Sequence, residues 1–387
     1  DNIRTFLSVC ASSILGVAGV TFSITIASLT LASQQYGPRL LRNFMQDRFN
    51  QTVLGIFIAT FLYSVSVLQF TSSMEVEGVR PIISMTTLMV LMIIDLLALV
   101  FFIHHIAMSI QADAIINSVN AELRDCIVSF FPDELDDTSH FPKAPTEQLQ
   151  ETIDTHRRLV VAKRSGYLQV INYDGLMSVA NEHNIVIKCL VKAGGFIMHG
   201  VHLAEYVGQD SDEIEGLDAL IHDAFVTGKT QTPIQDPEFA IRQLVEVAVR
   251  ALSPGINDPY TAISCIDKLG DNIAFLMHRH FPSSQRFDEE GRLKLQLKHV
   301  DFQGVVDVSF NQIRQHGKSD TAVTIRLLET LLSLSLQVRN TEQAVVIMAQ
   351  ADAINSVSIT SQGAEKDRKD TESIYQGVST NLHEYLD

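Results

Sequence analysis

Cysteine is scarce and scattered in this sequence: Cys10, Cys126, Cys189 and Cys265 are the four among 387 residues. No CxxC pair occurs, so neither a zinc site nor a disulfide framework is indicated, and a reducing compartment fits. Basic charge is in deficit. Lys and Arg number 29 against 45 Asp and Glu, a formal net charge of −16, which would repel a phosphate backbone and argues against nucleic-acid binding. Recognisable reaction chemistry is missing as well. There is no P-loop, GxSxG, HExxH or dinucleotide fingerprint, so the reading is of a protein that is not an enzyme and needs no cofactor or metal. The first residue is Asp rather than Met, with no short apolar stretch after a basic start, and the sequence is read as beginning after a further N-terminal piece.

What charge there is lies unevenly. Residues 1–112 hold five basic and five acidic side chains, which places the whole excess of negative charge in residues 113–387. Not one charged residue falls between Arg4 and Arg39, and about 20 apolar helical residues suffice to cross a bilayer. Spanning helices are expected over residues 5–33, 52–71 and 81–110 of a transmembrane domain, 1–112. The first connection carries Arg39, Arg42 and Arg48, whereas the second carries Glu75, Glu77 and a single Arg80. By the positive-inside tendency the first connection and the C-terminal region are cytoplasmic, and residues 72–80 face outward. Residues 39–50, apolar on one side and polar on the other, read as an interfacial helix or a cytoplasmic extension.

Along the first helix, Thr5, Ser8, Ser12, Gly16, Gly19, Ser23, Ala27, Thr30 and Gln34 follow steps of three and four. One face is therefore small or polar throughout. It is read either as a close-packing surface or as the lining of a water-filled path in an oligomer. Asp95, deep in the third helix, is an intramembrane acid with either an ion or proton role or a hydrogen bond to a neighbouring helix. His104 and His105 close that helix, with metal binding or pH sensing weighed against amphipathic anchoring.

The soluble half divides into a connecting segment, 113–158, a small β unit, 159–209, and a mainly helical region, 210–387. The connection is read from the prolines and acids of FPDELDDTSHFPKAP. The stretch from Ile185 to Tyr206, with its Gly194-Gly195 turn, is similar to one hairpin of lipoyl and biotinyl barrel sandwiches. No lysine stands at an opposing tip, so adapter or ring-forming use is expected instead of a swinging arm. His199 and His202 are read as solvated. Helices are expected near 212–227, 237–252, 259–279, 302–316, 320–338 and 341–356, with a hairpin in RFDEEGRLKLQLKHVDF. Asp236-Pro237 and Asp258-Pro259 place a capping carboxylate before a proline at the first helical position. The loop RALSPGINDPYTA, with Ser253, Asn257 and Asp258, is either a ligand loop or a rigid corner capped by Asp258.

The strings SQQYGPRLLRNFMQDRFNQ, FIATF, FIHHIAMSIQ, RALSPGINDPYTA and RLLETL resemble a bacterial family of predicted integral membrane proteins classed as domain of unknown function 2254. The resemblance spans nearly the whole chain. It implies a bacterial cytoplasmic-membrane protein with an N-terminal membrane domain and a cytoplasmic C-terminal domain, with no activity attached. It also implies a further apolar segment upstream, which would give four helices with both termini inside, and no acid at the position of Asp95. The expected fold class is an α-helical membrane domain plus a cytoplasmic α+β domain. The expected function is a homo-oligomeric ion or small-solute channel gated by its cytoplasmic domain. The alternative is a non-conducting scaffold or sensor that recruits a cytoplasmic protein partner. In either case the partners are the lipid bilayer and further copies of the chain.

Overall fold

A computed structural model of the chain describes residues 2–37, 47–74, 82–131, 157–208, 216–298, 300–361 and 364–386. The chain divides into two compact units, residues 1–117 and 118–387. In the first, α1 (Asn2–Tyr36), α2 (Arg48–Met74) and α3 (Ile82–Ser109) are each long and apolar enough to cross a membrane. They overrun the expected apolar spans at most ends, because a helix need not stop where its apolar run stops. The interfacial helix expected over 39–50 falls mostly on residues 38–46, outside the described residues, and its last three positions belong to α2. The second connection also lies outside them over residues 75–81.

The three helices run alternately up and down. Ile14 meets Phe57 and Phe102 in one buried cluster, while Leu7 and Cys10 near the start of α1 meet Val67 of α2 and Leu88 of α3 in another. Several hydroxyls along α1 are satisfied by their own helix. Thr21 Oγ1 donates to Val17 O, Ser23 Oγ to Gly19 O and Thr30 Oγ1 to Ile26 O, each at 2.9 Å, the back-bond that lets Ser and Thr sit in an apolar helix.

The second unit holds most of α4 (Ala112–Phe130), a helix where a connecting segment was expected. Its signal is plain in retrospect. Val119, Leu123 and Ile127 recur at four-residue steps and are all buried, but the prolines that follow mask the period. The proline-rich acidic run itself falls on residues 132–156, outside the described residues.

The β unit consists of β1 (Arg158–Val161), β2 (Gly166–Ile171), α5 (Tyr173–Glu182), β3 (Val186–Cys189), β4 (Phe196–Ile197), β5 (His202–Val207), α6 (Leu217–Asp223) and β6 (Phe225–Gly228). Asn172 caps α5 by accepting from Gly175 N at 3.0 Å. The single helix expected near 212–227 is a correction. Among the described residues of that range only 217–223 is helical, and FVTG, residues 225–228, forms β6 and pairs with β2. A β-branched pair beside an open strand edge outweighs the helical period.

The hairpin β7 (Gln285–Phe287) and β8 (Leu293–Gln296) forms as expected, turning at Asp288 and Gly291, whose φ is +76°. Its place differs from the expected division. β8 pairs in parallel with β3, so one sheet runs β1-β5-β3-β8-β7 and a second runs β4-β2-β6. The β unit thus recruits strands from beyond residue 209, and β4, between β3 and β5 in sequence, belongs to the other sheet. A core of Leu168, Ile171, Ile187, Tyr206, Ile221 and Leu295 fills the unit.

Among the described residues beyond the β unit, six further helices follow: α7 (Pro237–Ala251), α8 (Pro259–Leu276), α9 (Phe302–Gly317), α10 (Thr321–Ser335), α11 (Thr341–Ser361) and α12 (Glu365–Leu386). Asp258, Asp301 and Asp320 cap α8, α9 and α10 by accepting from the third following amide. Asp236 does not do so for α7, contrary to expectation. Its buried carboxylate accepts from Arg242 Nη2 at 2.8 Å instead. The final helix, α12, was not expected because its surface is strongly polar. Only Thr371, Val378 and Leu382 are fully buried along it, and it packs on α10 and α11.

Candidate functional sites

The small-residue face of α1 is entirely exposed on the single chain. Thr5, Ser8, Ser12, Gly16, Gly19, Ser23, Ala27, Thr30 and Gln34 all lie on its open surface, whereas Leu7, Cys10, Ala11, Ile14, Thr21 and Ala32 are buried. At about 100° per residue these two sets lie about half a turn apart. A Cβ added at Gly16 or Gly19 would meet nothing within 4 Å. The stripe therefore packs on neither α2 nor α3. Exposed Leu15 and Phe22 flank it on one side and Val20 and Leu31 on the other, which leaves a shallow lane of small side chains between bulky walls.

Asp95 faces α2. It is 6% exposed and its Oδ1 accepts from Thr60 Oγ1 at 3.1 Å, while no hydrogen-bond partner among the described residues reaches Oδ2. It also lines a mostly apolar cleft of about 440 Å³ with Ser13, Ile14, Phe57, Met92 and Leu99. His104 and His105 do not converge. His105 Nε2 is 2.6 Å from Asp47 Oδ2 and its ring lies 4.5 Å from that of Phe49, whereas His104 is exposed. Among the described residues no three His, Cys, Asp or Glu side chains are grouped to hold a metal ion.

The Ser253–Asp258 loop is held by its own atoms. Ser253 Oγ donates to Arg250 O at 2.6 Å, Asn257 N to Ser253 O at 2.9 Å and Asp258 N to Ala251 O at 2.8 Å. Asn257 takes the left-handed conformation, φ 51°, which asparagine tolerates better than most residues. Asp258 accepts from Thr261 N at 3.2 Å and from Thr261 Oγ1 at 2.6 Å. Both carboxylate oxygens are committed to the start of α8. Tyr260, 79% exposed, is the large side chain the corner presents outward.

Two features of the second unit have no counterpart in any local string. The first is a buried ion cluster. Arg242 bridges Asp236 and Glu238, and Lys192 Nζ donates to Glu238 Oε1 at 2.5 Å. Burial pushes the Asp236 carboxyl up from its ordinary value, against the pull of Arg242. Gly194, at φ +89°, is required beside it, because a Cβ there would fall 2.0 Å from Asp236 Oδ2. The second feature is a cavity of about 230 Å³ lined by Lys192, Arg286, Lys298, Tyr173 and Phe131 among others. Its three cations come from a turn at Lys192 and from a strand and a loop, Arg286 and Lys298, that lie far along the chain from it, so no motif could announce it. The thiols of Cys189 and Cys265 are pushed up to about 12 by burial, which makes them poor nucleophiles.

Three long apolar helices followed by a separately packed α+β unit define an integral membrane protein with a large non-membrane domain. The sequence profile of the family described as predicted membrane protein, DUF2254, matches residues 1–333, and the chain belongs to that family. The chain is also similar to uncharacterized proteins of Mycobacterium bovis and Mycobacterium tuberculosis H37Rv. Each is 29% identical over 375 residues, covering 95% of this chain and 70% of the relative. No solved structure matches.

Proposed function

We propose that the protein is a homo-oligomer of the bacterial cytoplasmic membrane. In this reading the α1 stripes of several copies line a path for an ion or small solute, and the second unit lies in the cytoplasm and controls that path. No catalytic chemistry is part of it. The observation that carries the proposal is the exposure of all nine stripe positions, half a turn from the packed face of α1. Small side chains on an outer face gain little from lipid, yet they let a second backbone approach closely. Orientation follows the arginines of the first connection.

Flux measured in proteoliposomes tests this reading. Gly19→Leu and Ser23→Leu are expected to abolish flux while the particle keeps its size, and Leu15→Phe to leave flux unchanged. If the unmutated protein passes no small ion, conduction fails. A second reading, a non-conducting scaffold or sensor that recruits a cytoplasmic protein, has one observation in its favour. The hydroxyls of Ser23 and Thr30 are satisfied by their own helix and need no water, so a dry contact between copies would suit them equally. That reading predicts intact oligomers with no flux, and loss of assembly in Gly19→Leu because overpacking typically costs about 1–3 kcal/mol.

A further inference from the structure

We propose that the second unit binds a small phosphomonoester in the cavity lined by Lys192, Arg286, Lys298 and Tyr173. The composition around it makes the lining unusual. Acidic groups outnumber basic ones beyond residue 112, where the full charge of −16 resides, yet among the described residues three cations and no acid line this cavity. Like charges gathered around one concavity repel one another and raise the local concentration of counter-ions, so such a lining favours an anion.

Existing partners leave part of this charge unspent. Lys192 is bound to Glu238 at its own edge of the cavity, and Arg286 reaches Asp174 at 3.6 Å, a carboxylate that is 99% exposed. A pair so exposed contributes little and yields readily to a better anion. Lys298 is exposed and makes no ion pair among the described residues. Arg286 lies 5.2 Å from the ring centre of Tyr173, which holds its guanidinium over an aromatic face. Burial pushes the Tyr173 hydroxyl up to about 12, so it adds no negative charge at neutral pH.

Size and shape narrow the class. About 230 Å³ is below the usual range for drug-sized ligands, roughly 300–1,000 Å³. A nucleic-acid strand is therefore excluded, while a phosphoryl group with a small body fits. Arg286 supplies the planar fork suited to phosphate and Lys298 a mobile point charge, and Phe131 and Tyr173 give apolar cover to the rest of the ligand.

The test is calorimetric titration of the purified full chain in detergent with phenyl phosphate, and with benzyl alcohol as the uncharged counterpart. No conduction is needed to read it, so its outcome is independent of the function proposed above. Saturable binding of phenyl phosphate alone is expected, weakened at least tenfold in Arg286→Gln and in Lys298→Gln and unchanged in Lys366→Gln, which removes a distant charge on α12. Melting curves matching the unmutated protein would show that the variants fold. Absence of saturable binding, equal weakening by all three substitutions, or binding of benzyl alcohol with the same affinity would each overturn the proposal.

Discussion

Single side chains in this protein mostly serve the fold, and the Ser253–Asp258 corner shows how. Asp258 spends both carboxylate oxygens on Thr261, so Asp258→Ala is expected to act as loss of a helix cap, costing about 1 kcal/mol. Thermal melting of the full chain would register it, while an unchanged melt with altered flux would point to a ligand role. The buried thiols give a second residue-scale prediction. Their folded values near 12 lie above the ordinary thiol value, so the protonated form is the one the fold favours. The stability they contribute is full below about pH 8.5, the ordinary thiol range, and is lost as pH rises toward 12. At pH 8 Cys189 and Cys265 should resist alkylation by iodoacetamide in the native protein and react once it is unfolded. Rapid native labelling at either position, read by mass spectrometry, would contradict their burial.

At the scale of elements, periodicity carried the reading wherever one face met one environment. The three apolar helices were legible because lipid imposes the same demand on every turn, and α7 to α11 because each buries an apolar stripe. Legibility failed where tertiary contacts decide. FVTG becomes a strand because β2 offers it an edge, and Asp236 leaves its cap because Arg242 lies within reach. α12 buries too few residues to leave a pattern. The stripe of α1 was visible as a pattern, but a sequence cannot say which way a helix face turns. Its orientation away from α2 and α3 predicts that substitutions split by face. Ile14→Ala, in the buried cluster, should destabilise the chain by about 2–5 kcal/mol. Ser12→Ala, on the stripe, should leave the melting curve of the monomer unmoved.

For the whole molecule, the division of charge is the leading fact: residues 1–112, which hold the three apolar helices, are neutral, and residues 113–387 hold all sixteen units of excess negative charge. The arginine bias of the first connection predicts that the end of α3 faces the cytoplasm. A cysteine placed at Gln111, which is exposed at that end, should resist a membrane-impermeant maleimide in intact cells and react after lysis. Reaction in intact cells would invert the topology. The cationic cavity was illegible for the opposite reason to the membrane helices. Lys192, Arg286 and Lys298 meet only because β3, β7 and β8 share a sheet, and nothing local in the sequence encodes that pairing.

The central claim is that the α1 stripe faces another copy of the chain, and oxidative cross-linking in native membranes tests it most directly. Cysteine is introduced singly at Gly19 on the stripe and at Phe22 on its bulky flank, both exposed on the isolated chain. The account predicts a covalent dimer for Gly19→Cys and none for Phe22→Cys. Dimer formation at Phe22 with none at Gly19 would place a different face of α1 at the contact and contradict the account.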